Sequence, residues 1–310
     1  MLINIIGKRR WFYLLSSLII VPGLIALLLW GLNLSIDFTG GSLLDLRFDQ
    51  PNKPLVAGDV RAEIETLGYT GSTVQISDDD TALIRVRQIN NDQKNEIIAA
   101  LADEYGVQPT EQRFEAVGPS VGNEVTRGAI FAVIAATVGI LLYLAFAFRD
   151  VEHPFRYGVV TIMAMLHDVL IVLGVAAIMG HFFGWEVDSL FLTALLTVIG
   201  FSVHDSIVVF DRVRENLHTM RGLSFAEIVN HSTVQTLDRS INTQLTALFT
   251  LLAVYLFGGE TIRQFVFWLI VGLIAGTYSS IFNAAPLLVS WTEGAFGKLL
   301  DRNGTKAATT

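Results

Sequence analysis

"VIGFSVHDSIVVFDRVREN", residues 198–216, poses the problem that decides the fold. Its first half is apolar enough to lie in lipid, yet Asp205 stands inside it with His204 beside it. A carboxylate in the middle of a membrane helix costs about 2.5–3.5 kcal/mol on insertion scales. Such residues face a bundle interior, pair with another group or mark an ion path.

The composition places the whole chain in the membrane class. Of 310 residues, 52% are hydrophobic and 16% charged, against about 25% charged in soluble domains. Six apolar blocks are long enough to cross a bilayer, each needing about 20 residues: 12–32, 126–148, 157–181, 188–210, 238–257 and 264–291. The first follows Lys8-Arg9-Arg10, but it is longer than a signal-peptide core and no small-x-small cleavage site follows it, so it reads as an uncleaved span. There are no cysteines, which excludes disulfides, thiolate metal sites and a Cys nucleophile.

The short-loop cations set the orientation. Lys8, Arg9 and Arg10 precede span one. Arg149 and Arg156 flank the turn between spans two and three. Arg212, Arg214 and Arg221 follow span four, and Lys298, Arg302 and Lys306 follow span six. The alternate loops offer only Arg263. Both termini are therefore expected in the cytoplasm, with 33–123 outside, in the periplasm of a bacterium. That segment holds about 15 acidic against about 7 basic residues, roughly the whole net charge of −8, so nothing points to nucleic acid.

The organisation expected is an N-terminal tail and first span (1–32), an extracytoplasmic α+β domain (33–123), spans two to six (124–291) and a cytoplasmic tail (292–310). Within 33–123 the pattern predicts strands at 41–48, 73–77, 82–88 and 112–117 and helices at 57–67 and 92–105, with an acidic turn at Asp78-Asp79-Asp80. The order βαββαβ is that of a ferredoxin-like split motif. The domain contains no His and no hydrolase or metal-ligand cluster.

Other polar groups join Asp205 within the apolar blocks. Span three carries His167-Asp168, with Asp168 near the bilayer midplane. Span five begins "TLDRSINTQLTAL", with Arg239 near its cytoplasmic end followed by Asn242, Thr243 and Gln244. Span six contains Asn283 and the small-residue pair Gly272 and Gly276, a packing signature. Asp205 lies five residues before the end of its block, about 8 Å deep at 1.5 Å per residue. Arg239 enters from the same side, so an Asp205–Arg239 pair is expected, with Asp168 on the same polar track. The charge on Asp205 would then depend on where Arg239 stands. The alternatives are a snorkelling Arg239, a structural Asp205, and packing roles for His167 and His204. Residues 224–235 read as an amphipathic helix lying along the membrane. No phosphate loop is present. A transmembrane potential, worth about 2.3 kcal/mol per charge per 100 mV, fits an intramembrane Asp better than nucleotide chemistry.

The motifs "SIDFTGGSLLDLRF" (35–48), "VGPSVGNEV" (117–125), "LHDVLIVLG" (166–174), "HDSIVVFDRVREN" (204–216) and "GTYSSIFNAAPLL" (276–288) occur in order over nearly the whole chain. Together they resemble the SecF branch of the SecD/SecF protein-export membrane proteins, whose six-span unit is similar to half of a resistance-nodulation-division (RND) transporter. The resemblance implies an α-helical polytopic membrane protein with an extracytoplasmic ferredoxin-like domain. It further implies an accessory subunit of the Sec translocase in the bacterial inner membrane. Such a subunit works with SecD beside the SecYEG channel, with YajC as an associate, and uses the proton-motive force to promote export of polypeptides. No cofactor or metal is implied. Asp205 matches the family's intramembrane Asp, Arg239 its Arg in a "TLxR" context, and Asp168 its "HD" carboxylate. His204 stands where Asn is common, and Gln244 and Ala247 stand where Ser and Thr are usual. His204, His167 and Thr243 are candidate neighbours of the proton-coupling groups. The beginning at "MLINIIGKRR" and the short tail suggest that SecD is a separate chain. Two other readings are an RND-type efflux transporter of small molecules or lipids and a passive membrane scaffold.

Overall fold

Period and punctuation in the sequence set the elements seen in a computed structural model of the chain, which describes residues 3–77 and 80–294. A 3₁₀ turn (Ile6–Lys8) leads into α1 (Arg9–Trp30), followed by the short α2 (Ile36–Thr39). Then come β1 (Gly41–Arg47), α3 (Ala57–Thr66), β2 (Thr73–Ser77), β3 (Thr81–Val86), α4 (Asn91–Tyr105) and β4 (Thr110–Val117). The rest is helical: α5 (Pro119–Ala147), α6 (Pro154–Phe183), α7 (Ser189–Thr219), α8 (Phe225–Phe257) and α9 (Glu260–Ser279), then a π-helical turn (Ser280–Ala284) and α10 (Ala285–Thr292). Asp78, Asp79 and the expected tail cations Lys298, Arg302 and Lys306 lie outside the described residues.

The chain divides into two units. One takes residues 33–132 and 182–189. Its antiparallel sheet has the order β2-β3-β1-β4. β1 and β2 both run antiparallel to β3, which lies between them, so the two βαβ halves interleave as in a ferredoxin-like fold. Alternation on β1 sends Leu44, Leu46 and Phe48 into a core with Val60 and Ile64 of α3 and Ile97, Leu101 and Tyr105 of α4, all fully buried. α4 starts at a reciprocal cap in which the Asn90 side chain accepts from Gln93 N–H and the Gln93 side chain accepts from Asn90 N–H.

Two glycines open β1 for a steric reason. Gly40 has φ +70° and Gly41 φ +127°, values that favour glycine. A Cβ on Gly40 would lie 2.9 Å from Pro119 Cα, and one on Gly41 2.8 Å from the Val86 carbonyl. The segment 182–189, read from sequence only as a connecting loop, joins this unit. Val187 N–H donates to the Asn33 carbonyl (2.8 Å), Ser35 N–H to the Val187 carbonyl (2.9 Å), and Arg85 pairs with Glu186.

The other unit comprises the chain up to Leu32, Val133–His181 and the chain from Leu190. Among the described residues six helices are long and apolar enough to cross a membrane, and each takes in one of the six blocks except for residues 31, 32, 148 and 188 at the block edges. Phe148, Tyr157 and Phe210 stack or meet edge-on at 5.2–6.4 Å, in a cluster with Val213, Val229, Leu288 and Val289. The fourth helix runs past its apolar block to Thr219, its polar end braced by Asp211–Arg214 and Arg212–Glu215 pairs at i,i+3 spacing. One expectation is corrected. Residues 224–235 do not form a separate helix along the membrane. The Ser224–Glu227 capping box starts α8, and no Gly or Pro interrupts it before Gly258, so both segments form one 33-residue helix. Asn216 locks this extension, donating to Ser232 Oγ and Gln235 Oε1 at 2.9 Å.

Asp45 on β1 tests the α+β unit. Its Oδ1 is buried without a hydrogen-bond partner among the described residues, and desolvation raises its pKa, partly offset by Arg113 across the strand pair. A raised carboxylate pKa makes the folded state bind the proton more tightly than the unfolded chain. Ionised Asp45 therefore weakens the fold at neutral pH, and the penalty fades as pH falls through the raised value toward the ordinary one near 4. Asp45→Asn is expected to raise the unfolding midpoint of the full chain at neutral pH, with the gain vanishing in acid. A pH-independent gain, or a loss at neutral pH, would contradict this.

Candidate functional site

Helical spacing builds one polar seam through the apolar bundle. On α7, Val198, Ser202, Asp205, Ser206 and Val209 are buried and recur every three or four residues, so they share a face. Asp205 is 3% exposed. α9 presses against this face because Gly272 and Gly276 lack side chains. A Cβ at Gly272 would collide with Val198, and one at Gly276 would come within 3.3 Å of Ser202 Cβ and 3.6 Å of Asp168 Oδ2. The small-residue pair thus acts as a packing surface.

Asp168 is the better-satisfied carboxyl, at 1% exposure. Three helices supply its partners. Ser202 Oγ of α7 donates to Oδ2 at 2.5 Å, Ser279 Oγ of α9 donates to the same oxygen at 2.7 Å, and His167 Nδ1 lies 2.9 Å from Oδ1. The His167 ring is buried and lies over Tyr278 at a centroid distance of 6.0 Å, with no hydrogen-bond partner for Nε2 among the described residues. Asp205 sits one turn beyond Ser202 on the same face. Gln244 Nε2 of α8 donates to Asp205 Oδ2, and His204 Nδ1 stands 3.7 Å from Oδ1 with its side chain 63% exposed.

The expected Asp205–Arg239 pair is absent. Arg239 is exposed, and among the described residues it makes no ion pair. The reason is helical phase. Arg239 and Gln244 are five residues apart, about 140° around α8, and Gln244 faces α7. Thr243 is likewise exposed. Gln244, counted in the sequence only as one polar residue among several, is the group that holds Asp205. Its signal was present: Ser240 and Gln244 are one turn apart and both buried, whereas Arg239, Asn242, Thr243, Thr246 and Thr250 make a second, exposed stripe. Ser206 Oγ, Ser240 Oγ and Gln244 Oε1 are buried without a hydrogen-bond partner among the described residues.

These features define a polytopic membrane protein with two buried carboxyl groups inside a six-helix unit and a ferredoxin-like domain inserted after the first helix. Two family models match in this arrangement: "Protein export membrane protein SecD/SecF, C-terminal" over residues 97–294, and "SecD/SecF GG Motif" over 30–51. The second covers Gly40 and Gly41. Relatives include a protein translocase subunit SecF of Thermobaculum terrenum, 50% identical over the full length of both chains. Another is the SecF subunit of Anaerolinea thermophila, 48% identical over 99% of this chain and 100% of that one. The crystal structure of the translocon-associated membrane protein SecDF from Thermus thermophilus matches with a TM-score of 0.81 and 34% identity, over 94% of this chain and 39% of that longer one. The chain belongs to the SecF family of multi-pass protein-export membrane proteins.

A double-mutant cycle tests the seam. Gln244→Leu and Asp205→Asn are each expected to lower the thermal stability of the detergent-solubilised chain. Their effects should be non-additive by about 0.5–2 kcal/mol, the range of intramembrane hydrogen bonds. Strict additivity would mean that the two side chains do not interact.

Proposed function

We propose that this chain is an accessory subunit of the Sec protein translocase that works with a SecD chain and draws on the proton-motive force. Membership of the SecF family and the translocase-subunit names of full-length relatives support the translocase role. They do not favour small-molecule or lipid efflux. The observation that carries the coupling role is the pair of carboxyl groups, Asp168 and Asp205, buried among apolar helices and bonded across α6, α7, α8 and α9.

In this reading Asp205 is the principal proton acceptor and Asp168 the second. Ser206, Ser240 and Gln244 are the polar groups beside Asp205 that would pass a proton. In the state described, Gln244 holds Asp205. Arg239, on the same helix, would reach it when α8 turns or slides against α7, exchanging a neutral donor for a cation. A carboxyl that alternates between these partners changes charge with helix position. His204, His167 and Thr243 would tune the exchange. A SecD chain would supply the other half of a pseudosymmetric unit, a role suggested by the longer SecDF chain of which this one matches 39%. SecYEG, YajC and the exported polypeptide are the further partners. The positive-inside distribution supports cytoplasmic termini in the bacterial inner membrane and an outer location for the α+β unit.

Asp205→Asn keeps the size and polarity of the side chain and removes its charge. In inverted vesicles containing the translocase, this variant is expected to lose the potential-dependent part of export while the nucleotide-driven part and subunit assembly survive. Full potential dependence in the variant would refute the coupling role.

A further inference from the structure

Asp168 lies deep in the bundle, and α1 is the helix that runs on in sequence into the α+β unit. A continuous set of contacts joins the two. Ser279, which donates to Asp168 Oδ2, immediately precedes the π-helical turn 280–284. Within that turn Asn283 exchanges hydrogen bonds with Ser16 of α1 at 2.9 and 3.0 Å. On either side, the Tyr278 hydroxyl donates to the Phe12 carbonyl (2.8 Å), and Tyr13 and Ser290 hydroxyls meet at 3.2 Å. The Phe12 and Phe282 rings lie 4.5 Å apart. Apart from the Arg9–Glu293 pair and the Ser17 hydroxyl on the Tyr13 carbonyl, the side-chain hydrogen bonds found for the first half of α1 are with residues 278–290.

The π-turn is pinned at both ends. Pro286 follows it, and in a regular α-helix its ring would clash with the Phe282 carbonyl and its nitrogen could not donate; the wider turn removes that conflict. The other end is held by Ser279 on Asp168. Proton counting shows which pin can release. An ionised carboxylate only accepts, and here Oδ2 accepts from Ser202 and Ser279 while His167 Nδ1 lies beside Oδ1. A proton on Oδ2 gives that oxygen an O–H of its own to donate, so Ser202 and Ser279 can no longer both donate to it and one of them must turn away. Ser202 and Ser279 compete for the same oxygen, and Ser279 alone of the two has a second acceptor, the Gly276 carbonyl at 3.3 Å.

We propose that Ser279 and Asn283 are positioning residues that relay the protonation of Asp168 to α1. On protonation Ser279 turns to the Gly276 carbonyl, the near end of the π-turn shifts, and Asn283 draws the Ser16 level of α1 with it. α1 has a pivot for this movement. Gly23 packs on Gly174 of α6 so closely that a Cβ on Gly174 would lie 2.6 Å from Gly23 Cα. Ser16 and Trp30 are each seven residues, about 10 Å, from that contact, so a displacement at Ser16 is mirrored at the end where Trp30 stacks on His181 at 4.1 Å. The relay rests on the reading of Asp168 as a proton acceptor, and its test separates the two.

The chain has no cysteine, so Leu14→Cys on α1 and Val138→Cys on α5, both exposed, give a unique spin-label pair in the full chain in lipid. The groups facing Asp168 are His167 on its own helix, Asp205 on α7 and Tyr278 on α9. Measurements are made in an Asp205→Asn background, with the Asp168 carboxyl followed by its infrared band. As pH falls, the band is expected to grow and the label separation to shift by about 1–2 Å, the scale of interface helix shifts. Asp168→Asn should abolish both changes. Ser279→Ala should keep the band and abolish the shift, Ser279→Thr should restore it, and Asn283→Leu should act as Ser279→Ala does. An equal shift in Ser279→Ala, or a growing band with static labels in the parent, overturns the relay alone. The absence of any Asp168-dependent band at every pH overturns the proton-acceptor reading together with the relay.

Discussion

The bundle is organised by the need to satisfy two carboxyl groups where no bulk water is available. An unsatisfied polar group in hydrocarbon costs several kcal/mol, so each carboxyl group takes donors for its Oδ2 from neighbouring helices. Asp168 obtains them from α7 and α9, and Asp205 from α8. That requirement fixes which faces of these helices meet, and it requires glycine at 272 and 276, since α9 must come close enough for Ser279 to reach across. The apolar residues make the helices insoluble in water, but the carboxyls choose among the many ways six greasy helices could pack.

Magnitudes indicate what kind of motion such a seam can drive. One proton crossing a potential of 100 mV releases about 2.3 kcal/mol, and intramembrane side-chain hydrogen bonds are worth about 0.6 kcal/mol on average and up to about 1.7. A single proton therefore matches the exchange of roughly one to four such bonds. It is far short of what separating an apolar interface would require. The contacts around Asp205 and Asp168 are of the matching kind: single donors, two of them hydroxyls that can rotate. A device built from them moves helices by small steps and multiplies the effect through geometry.

Features governed by a local period were legible in the sequence. The six spans, the βαββαβ order and the alternation of Leu44, Leu46 and Phe48 follow from hydrophobic patterning alone. The Gly40-Gly41 pair was visible as a motif, but its cause, the close approach of Pro119 and the Val86 carbonyl, depends on residues far along the chain. Site partners were harder. Charge drew attention to Arg239, yet helical phase places Gln244 against Asp205. Residues 224–235 looked distinct because they are polar, although nothing in them can end a helix. The π-turn had only Pro286 as a hint, and the joining of 182–189 to the α+β unit rests on main-chain hydrogen bonds and on side-chain partners such as Arg85 and Glu186 that are far apart in the sequence.

If the proposed coupling holds, Gln244 and Arg239 together express a general constraint on it. If the cation stayed against the carboxylate, the pair would be too stable for a proton to displace it, because a buried ion pair in good geometry resists loss of either charge. If only apolar groups surrounded the carboxyl, it would stay protonated and never release. A neutral amide donor lies between these limits, stabilising the anion by one hydrogen bond while leaving protonation accessible. Holding the amide and the cation about 140° apart on one helix makes the two environments mutually exclusive. Under the proposed coupling the carboxyl would meet one or the other according to how α8 is turned, and that exclusivity would tie a proton to a helix position.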